Sequence, residues 1–245
     1  MKEEIDKGKI PRHLAVIMDG NGRWAQKKGA MRIFGHRNAM TAVREAIEGS
    51  AELGIEFITL YAFSTENWSR PKEEINALME LLVSAIRDEV GTMMKNNIRL
   101  AAIGDIKSLP KRCLANLLEA IDTTKGNTGL TVTLALSYSG KWDIEEAIKT
   151  IVEKVVSNEI STEDITQDLI SSHLSTKGIP DPELLIRTSG ELRISNFMLW
   201  QLAYTELYFT EVLWPDFRKE DLHAAILAYQ KRERRFGKTG AQIKS

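Results

Sequence analysis

The stretch that decides the fold is His13-Leu14-Ala15-Val16-Ile17-Met18-Asp19-Gly20-Asn21-Gly22-Arg23-Trp24. A short apolar run ends in a carboxylate, and two glycines, an arginine and a tryptophan follow. A continuous apolar run is typical of a buried parallel strand, and open α/β sheets place ligands at the carboxyl ends of their strands. The stretch therefore predicts a central strand with a ligand site at its end.

The residues after this strand have the chemistry of a phosphate site. Gly20 and Gly22 let backbone N–H groups approach an anion closely, and Arg23 can donate two parallel hydrogen bonds to phosphate oxygens. Asp19 would repel a phosphate unless a cation lay between them, so its position suggests Mg²⁺ carried on a diphosphate. The alternative is an ordinary strand-to-helix turn that uses Asp and Gly for their turn-forming properties.

Strand-like runs alternate with helical patterns along the chain. Strands are predicted at residues 14–18, 57–63, 98–103, 130–136, 184–186 and 207–209. Helices are predicted from about 39 to a stop at Gly54, from Pro71 through Met93, and at 110–124, 143–156, 166–174 and 220–236. The alternation predicts an α/β fold: a single domain, residues 1–245, with a mainly parallel sheet flanked by helices. Residues 1–12 and 238–245 are expected to be flexible ends.

The composition excludes several classes of protein. The 245 residues are 43% hydrophobic with a net charge of −1, so the chain can build a sizeable core and has no overall attraction to nucleic acid. Cys113 is the only cysteine, so no intramolecular disulfide can form. No apolar run reaches the roughly 20 residues of a membrane span, and residues 1–10 lack the apolar segment of a signal peptide. We expect a cytoplasmic protein with peripheral membrane contact at most.

Three further clusters lie at or just after predicted strand ends. They are Arg32-Ile33-Phe34-Gly35-His36, Ser64-Thr65-Glu66-Asn67-Trp68-Ser69-Arg70-Pro71 and Arg187-Thr188-Ser189-Gly190-Glu191-Leu192-Arg193-Ile194-Ser195-Asn196. The first adds donors near a helix N-terminus, and the arginines of the third could clamp a diphosphate. Together the clusters supply two separate sets of phosphate donors. Asp19 and Glu206, which lies downstream, supply two carboxylates. Simpler interpretations are a capping His36, an ordinary helix entry before Pro71 and a surface charge at Glu206.

Several common catalytic motifs are missing from the sequence. There is no Gly-x-x-x-x-Gly-Lys-Ser/Thr loop, which disfavours a P-loop nucleotide site. There is no Gly-x-Ser-x-Gly elbow of a serine hydrolase, and the four histidines lack zinc-ligand spacing.

Five ordered motifs carry a resemblance to a known family. They are His-x-Ala-x-Ile-Met-Asp-Gly-Asn-Gly-Arg-Trp-Ala from His13, Phe-Gly-His from Phe34, Ser-Thr-Glu-Asn-Trp-x-Arg-Pro from Ser64, Ile-Arg-Thr-Ser-Gly-Glu-x-Arg-Ile-Ser-Asn-Phe from Ile186 and Glu-Leu-Tyr-Phe from Glu206. Over residues 13–237 the chain resembles the cis-prenyltransferases, most closely their bacterial undecaprenyl diphosphate synthase branch. The resemblance implies a six-stranded parallel sheet, a hydrophobic tunnel and a homodimer.

The resemblance also implies a role for each matching residue. Asp19 would hold Mg²⁺ and help a diphosphate leave, and Glu206 would be a second Mg²⁺ ligand, in its own or the partner subunit's site. The diphosphate of farnesyl diphosphate would be held by Gly20, Asn21, Gly22, Arg23, Arg32 and His36, with Trp24 beside it. The pocket around the reacting carbons would be completed by Ser64, Thr65, Glu66, Trp68 and Arg70. Isopentenyl diphosphate would be bound by Arg187, Arg193, Ile194 and Ser195. A C-terminal element, Arg235-Phe236-Gly237, would reach across the dimer.

The implied reaction joins isopentenyl diphosphate units to farnesyl diphosphate. The expected product is a long-chain polyprenyl diphosphate, undecaprenyl diphosphate, the lipid carrier precursor of bacterial cell-wall synthesis. Asn67 would be the proton acceptor; because a neutral amide is a poor base, we expect it to orient the substrate and pass the proton to a diphosphate oxygen. The tunnel would run between the sheet and the helices from Thr41 and Pro71. Leu130 would form its floor, so Leu130→Ala is expected to lengthen the products.

Two other functions remain open from the sequence. One is a phosphohydrolase with Asp19 as nucleophile, although Asn21 occupies the place where such enzymes usually carry a second acid. The other is a non-catalytic partner subunit, although such relatives lack the catalytic aspartate that this chain has.

The chain departs from the family pattern in two loops. Ser189 stands where Gly is expected in Arg-Thr-Gly-Gly-Glu. Ser137-Tyr138-Ser139-Gly140-Lys141 replaces the commoner Asn-Tyr-Gly-Gly-Arg. These changes lie beside the residues with assigned roles, so they affect the expected loop geometry and not the expected reaction.

Overall fold

Six parallel strands form one sheet in this computed structural model, which describes residues 2–234. The strands are β1 (His13–Ile17), β2 (Phe57–Ser64), β3 (Arg99–Ile103), β4 (Thr131–Tyr138), β5 (Leu184–Arg187) and β6 (Glu206–Phe209). Their order across the sheet is β3-β4-β2-β1-β5-β6, and every neighbouring pair is parallel. The predicted α/β fold is confirmed, and each predicted strand is present within two residues of its expected ends.

Residues 2–234 contain seven α-helices, of which the last follows the last strand. They are α1 (Asn21–Lys27), α2 (Arg32–Leu53), α3 (Lys72–Lys95), α4 (Lys111–Thr124), α5 (Gly140–Val156), α6 (Gln167–His173) and α7 (Lys219–Gln230). Gly54 ends α2 in the left-handed conformation, as its position predicts. No single helix of the described residues is long and apolar enough to cross a membrane.

Three helix predictions were wrong in detail. The helix α1 was not predicted, because it is short and two glycines precede its apolar residues. The helix α2 begins at Arg32 and not near Ala39, so Arg32 and His36 lie within its first two turns. The last helix ends at Gln230, short of the predicted end at 236.

The sheet is buried on both faces. Along β1, Leu14 and Val16 enter a large hydrophobic cluster with residues of α2, α3, α4 and α7. Ala15 and Ile17 enter a smaller cluster on the other side. This alternation follows from the two-residue period of a strand, and it explains why all five residues of β1 are buried.

The N-terminal segment packs against the body of the protein. Residues 2–9 include two short 3₁₀ turns, Lys2–Glu4 and Lys7–Lys9, and the side chain of Ile5 is buried. The backbone N–H of Asp6 donates to Gln230, 3.1 Å away. The flexibility predicted for 1–12 stays a prediction, and these contacts count against it. The segment 238–245 and the element Arg235-Phe236-Gly237 lie outside the described residues.

A large cavity lies between the helices α2 and α3 and the strands β2 and β4. Its volume is about 1150 Å³. Its apolar wall is formed by Ala39, Val43, Ile47, Leu60, Leu78, Leu82, Ala85, Ile86, Leu100, Val132, Leu134 and Leu136. Leu130 is buried in the same core but does not line the cavity. The assignment of Leu130 as a floor residue was therefore wrong for this structure.

The helices α1 and α2 approach each other closely at Gly35. A Cβ atom at this position would lie 2.0 Å from the carbonyl oxygen of Asn21, which is far inside van der Waals contact. Because Asn21 begins α1 two residues after Asp19, the close approach fixes the position of the Asp19 loop relative to α2.

We predict that Gly35→Ala destabilises the protein. The added methyl forces α1 away from α2, and overpacking of this kind costs about 1–3 kcal/mol. Gly91→Ala is the matched control, since Gly91 lies in α3 with nothing within 4 Å of the added methyl. That substitution should stabilise the protein by up to about 1 kcal/mol through helix propensity. Urea denaturation measures both; equal effects of the two substitutions would contradict the prediction.

Candidate active site

The site lies at the carboxyl edge of the sheet, where the strand order reverses. β1 is paired with β2 on one side and β5 on the other, so the loops after these three strands are neighbours. A crevice at such a switch point is where open α/β sheets bind ligands. The three loops carry Asp19, the turn Thr65–Ser69 and the segment after Arg187.

Asp19 is held in place by the loop that follows β5. Its backbone N–H donates to the hydroxyl of Thr188 at 2.9 Å, and that hydroxyl lies 2.6 Å from the carbonyl oxygen of Asp19. Its carboxylate accepts a hydrogen bond from the N–H of Gly20 at 2.7 Å. Gly20 has a φ of +106°, which a residue with a side chain adopts only with strain. The turn thus aims one carboxylate oxygen at β5.

Arg187 occupies the position that this oxygen faces. Its Nη2 lies 2.8 Å from Asp19 Oδ2. Its Nη1 donates to the Arg193 carbonyl at 2.5 Å and to Ser195 Oγ at 2.7 Å. Arg187 is only 3% exposed, and its buried Nε has no partner among the described residues. A buried N–H without an acceptor is costly, so this guanidinium has unused capacity for an anion.

The charge state of Asp19 follows from these contacts. Burial raises the pKa of its carboxyl, but the hydrogen bond and charge of Arg187, with smaller effects of Gly20 and Arg23, lower it below its usual value. Asp19 is therefore ionised at neutral pH.

Arg23 is a second guanidinium near this carboxylate, with its Nη2 3.6 Å from Asp19 Oδ2. It donates to the carbonyl and to the hydroxyl of Ser189, at 3.0 and 2.6 Å, and pairs with Glu191 at 3.0 Å. Ser189 has a φ of +76°, which explains why glycine is the expected residue there. The serine tolerates the strain and gains a hydrogen bond to Arg23.

His36 lies near the mouth of the cavity, in the second turn of α2. The pKa of its ring is lowered to about 4, mainly by burial and also by the charges of Arg70 and Arg32, while the charge of Glu74 acts in the opposite direction. The ring is therefore neutral at pH 7, with one nitrogen able to donate and the other able to accept.

The turn after β2 forms the opposite wall of the mouth. Asn67 Oδ1 accepts a hydrogen bond from the backbone N–H of Ser64 at 3.1 Å, in a capping box that also uses the Ser64 side chain. The Trp68 indole donates to Ser137 Oγ at 2.8 Å, so the serine that replaces asparagine there supports the turn. Glu66 accepts from Asn196 at 2.7 Å, which joins this turn to the loop after β5.

The structure brings about half of the predicted site residues onto the wall of the cavity. These are Asp19, Asn21, His36, Ser64, Glu66, Asn67, Arg70, Arg187 and Ser195. The remainder lie beside the wall or behind it: Gly20, Gly22, Arg23, Trp24, Arg32, Thr65, Trp68, Arg193 and Ile194.

Trp24 is buried away from the cavity. Its indole N–H donates to Asp216 at 2.7 Å, and its ring stacks on Phe34 with centroids 5.8 Å apart. Lys28 covers the ring, 4.5 Å from its centroid. These contacts commit the ring to holding α1 against the chain around Asp216, and the predicted place beside the substrate does not follow from the geometry.

Glu206 lies at the opposite edge of the sheet from Asp19. It pairs in register with Leu184, which pairs with Leu14, so it is five residues behind Asp19 along the strand direction, about 16 Å at 3.3 Å per residue. Its carboxylate pairs with Arg232 at 2.9 Å. The option that Glu206 shares a cation with Asp19 of its own chain was therefore wrong, because parallel register separates them.

Two residues of the site were quoted in motifs but given no role. Thr188 fixes the backbone of Asp19 through the two contacts of its hydroxyl. Asn196 bonds to Glu66, accepts from the Lys141 N–H at 3.0 Å and lines the cavity. The signal for both was their position inside the third cluster, next to residues with assigned roles.

The protein alone does not form a complete metal site within residues 2–234. No group of three or more His, Cys, Asp or Glu side chains there could hold an ion. A single carboxylate fits Mg²⁺ that arrives with a diphosphate, since this ion keeps waters and uses one or two carboxylates with substrate phosphates.

Comparisons with known proteins agree with this geometry. A prenyltransferase family model, described as undecaprenyl diphosphate synthase, matches residues 17–237. An isoprenyl transferase of Porphyromonas gingivalis is 55% identical, over 96% of this chain and 92% of that protein. The farnesyl-diphosphate-specific ditrans,polycis-undecaprenyl-diphosphate synthase of Haemophilus influenzae is 52% identical, over 96% and 99%. A solved structure of lavandulyl diphosphate synthase from Lavandula x intermedia, in complex with dimethylallyl diphosphate, has a TM-score of 0.92 at 36% identity and covers 94% of this chain and 100% of that chain.

We predict that His36 titrates near pH 4 in the free protein, and not near the ordinary 6.5. Because the unfolded state binds this proton more tightly, His36 makes stability fall as the pH drops from about 6.5 to 4. Proton NMR titration measures the midpoint, and the His36→Gln spectrum assigns the signal. Arg70→Gln should raise the midpoint, since it removes a positive neighbour. A midpoint between 6 and 7 would show that the ring is solvated.

Proposed function

Because the chain belongs to the undecaprenyl diphosphate synthase family of prenyltransferases, we propose that it condenses isopentenyl diphosphate units onto farnesyl diphosphate. The product is a long-chain polyprenyl diphosphate, and undecaprenyl diphosphate is the expected compound. One observation carries the proposal: the charged mouth around Asp19 and Arg187 opens directly into an apolar cavity of about 1150 Å³. A substrate with a diphosphate head and a hydrocarbon tail matches both regions.

The farnesyl diphosphate head is assigned to the loop after β1 and the start of α2. The backbone from Gly20 to Gly22 and the side chains of Arg23, Arg32 and His36 surround this position. The Arg32 side chain packs on Gly22: a Cβ atom added to this glycine would lie 3.6 Å from Arg32 Cγ. This contact supports a joint role for α1 and α2. Asn21 Oδ1 is buried without a partner among the described residues and lies next to this site.

The isopentenyl diphosphate head is assigned to the loop after β5. Arg187 already contacts Ser195 and the Arg193 carbonyl, so these residues form one unit. The free Nε of Arg187 and the exposed guanidinium of Arg193 are donors for a second diphosphate. Two diphosphates would then lie on either side of Asp19.

Mg²⁺ is the cofactor that this arrangement fits, with Asp19 as its ligand. When bound, it neutralises charge that develops on the departing diphosphate. Asp19 is ionised, and its Oδ2 is engaged with Arg187. Among residues 2–234, its Oδ1 accepts only the Gly20 N–H, and a carboxylate oxygen has two lone pairs, so Oδ1 keeps a lone pair for a cation.

Asn67 is assigned to the proton-transfer step as an orienting residue. Departure of the allylic diphosphate leaves a cationic carbon, which the isopentenyl double bond attacks, and a proton then leaves C2 of the isopentenyl unit. The Asn67 oxygen accepts from Ser64, so its NH₂ group is the end available to the substrate. An amide that presents donors can hold a diphosphate oxygen near C2, and that oxygen is the better base.

The cavity gives elongation a driving force. Each CH₂ group moved from water into an apolar site gains about 0.8 kcal/mol. A tail that grows by one isoprene unit therefore gains several times this amount as long as apolar wall remains. We propose that the cavity is the hydrophobic tunnel of this enzyme and that it holds the growing chain.

The proposal includes a homodimer, in which Glu206 can act in the active site of the partner subunit. Since Glu206 is about 16 Å from Asp19 along the strands of its own chain, it can serve a cation only in the partner subunit's site. The exposed apolar side chains of Tyr204 and Leu207 flank it, which is typical of a surface that a second copy covers. Contact with a membrane would be peripheral and limited to product release.

The test is an incubation of the pure protein with farnesyl diphosphate, labelled isopentenyl diphosphate and Mg²⁺. A labelled polyprenyl diphosphate supports the proposal, and loss of product with EDTA supports the cofactor. Release of inorganic phosphate or diphosphate without isopentenyl diphosphate would instead indicate a phosphohydrolase. No product in any mixture would indicate a non-catalytic partner subunit.

We predict that Asp19→Ala strongly lowers the rate of condensation but keeps farnesyl diphosphate bound. The substitution removes the cation ligand, whereas Arg23, Arg32 and the backbone amides remain; losing one such electrostatic contact costs about 10²–10³ in rate. Turnover and fluorescence-detected binding measure the two effects. Asp19→Asn should behave alike, and Asp168→Ala, at an exposed position of α6, is the control. If farnesyl diphosphate binding were lost together with turnover, Asp19 would be needed to bind the diphosphate and not to help it leave.

A further inference from the structure

Charged residues occupy one side of the distal half of the cavity. The mouth is at Asp19 and His36, and α2 and α3 both run away from it toward the amino edge of the sheet. Arg44 and Glu89 line the cavity beyond that mouth. Arg44 lies about three helical turns from the start of α2, and Glu89 lies nearly five turns from the start of α3. The strand side of the cavity stays apolar at this depth, with Leu100 and Val132.

Arg44 and Glu89 form an ion pair that joins the two helices. The carboxylate of Glu89 accepts from Arg44 Nη2 at 2.5 Å and from Nε at 2.7 Å. Their side chains are 54% and 16% exposed, so the pair lies where the cavity wall meets solvent. Among residues 2–234 it is the only ion pair that connects α2 with α3.

The other charged residues at this end of α2 are engaged elsewhere. Glu48 and Glu52 both pair with Lys219 at the start of α7, at 3.0 and 2.8 Å. Glu52 also pairs with Lys2 at 2.5 Å. These bonds hold the far end of α2 against α7 and leave the gap toward α3 to Arg44 and Glu89.

We propose that the Arg44–Glu89 pair closes the outer wall of the cavity and limits the length of the prenyl product. This inference rests on the proposed function. A growing hydrocarbon tail lies along the apolar strand side of the cavity and meets the pair on the outer side, between α2 and α3. To extend between α2 and α3, it must separate the two charges and remove them from water without offering a hydrogen bond in return. The pair is therefore a length-determining element, distinct from the residues that hold the diphosphates.

The test compares product lengths for paired substitutions. In Arg44→Met with Glu89→Met, both charges are replaced by flexible apolar side chains that favour helices. The products of this variant should be longer than those of the unaltered protein by at least one isoprene unit. The exchange Arg44→Glu with Glu89→Arg keeps an ion pair and should keep the original lengths. Reverse-phase chromatography of the labelled products, at equal substrate ratio and time, measures the distribution.

Asp122→Met with Lys125→Met is the matched control. That pair, 2.6 Å apart at the end of α4, is exposed and does not line the cavity, so its loss should leave product length unchanged. Circular dichroism and the thermal midpoint show whether each variant is folded. Should the double methionine variant not fold, Glu89→Gln removes one charge in a nearly identical shape, and it should give the same direction of change with a smaller shift.

The outcomes separate the inference from the proposed function. Unchanged or shorter products of the folded double methionine variant would overturn it, as would unchanged products of Glu89→Gln if only that variant folds. Equal lengthening by the charge exchange would also overturn it, since the pair would then not act through its charges. If the unaltered protein makes no polyprenyl product, the proposed function itself fails.

Discussion

The ion pair between Asp19 and Arg187 is the contact on which the site depends. The two residues are 168 positions apart in the chain, and parallel pairing of β1 with β5 places them together. Gly20 turns the backbone so that Asp19 faces β5, and Thr188 fixes that turn with its hydroxyl. The pair keeps a buried guanidinium compensated until an anion arrives, and it keeps a carboxylate ionised for a cation.

The same fold provides a charged mouth and an apolar interior. The carboxyl edge of a parallel sheet collects loops, and loops can carry polar side chains without a buried backbone cost. The space between α2, α3 and the sheet is lined by residues that would otherwise pack against each other, so the cavity is a gap left in the main core. The side chains that line such a gap lack dispersion contacts on one side, and a hydrocarbon tail in the cavity would provide them.

The two loops that depart from the family pattern show how small changes are accommodated. Ser189 and Ser137 both have positive φ values, +76° and +48°, where glycine or asparagine is favoured. Each serine hydroxyl compensates with a hydrogen bond, to Arg23 and to Trp68 respectively. Arg23 and Trp68 belong to the proposed substrate pocket, so these substitutions support its shape.

The sequence alone determined the strands, their parallel arrangement and the three clusters of the mouth. Buried strands leave a continuous apolar signal, and ligand residues follow directly after it, so local patterns suffice. Only the tertiary structure decided which residues meet. Parallel register placed Glu206 at the far edge, packing of α1 on α2 buried Trp24, and the packing of the core left Leu130 out of the cavity lining. The Arg44–Glu89 pair is also of this kind, because two helices far apart in sequence must be set side by side before their charges can meet.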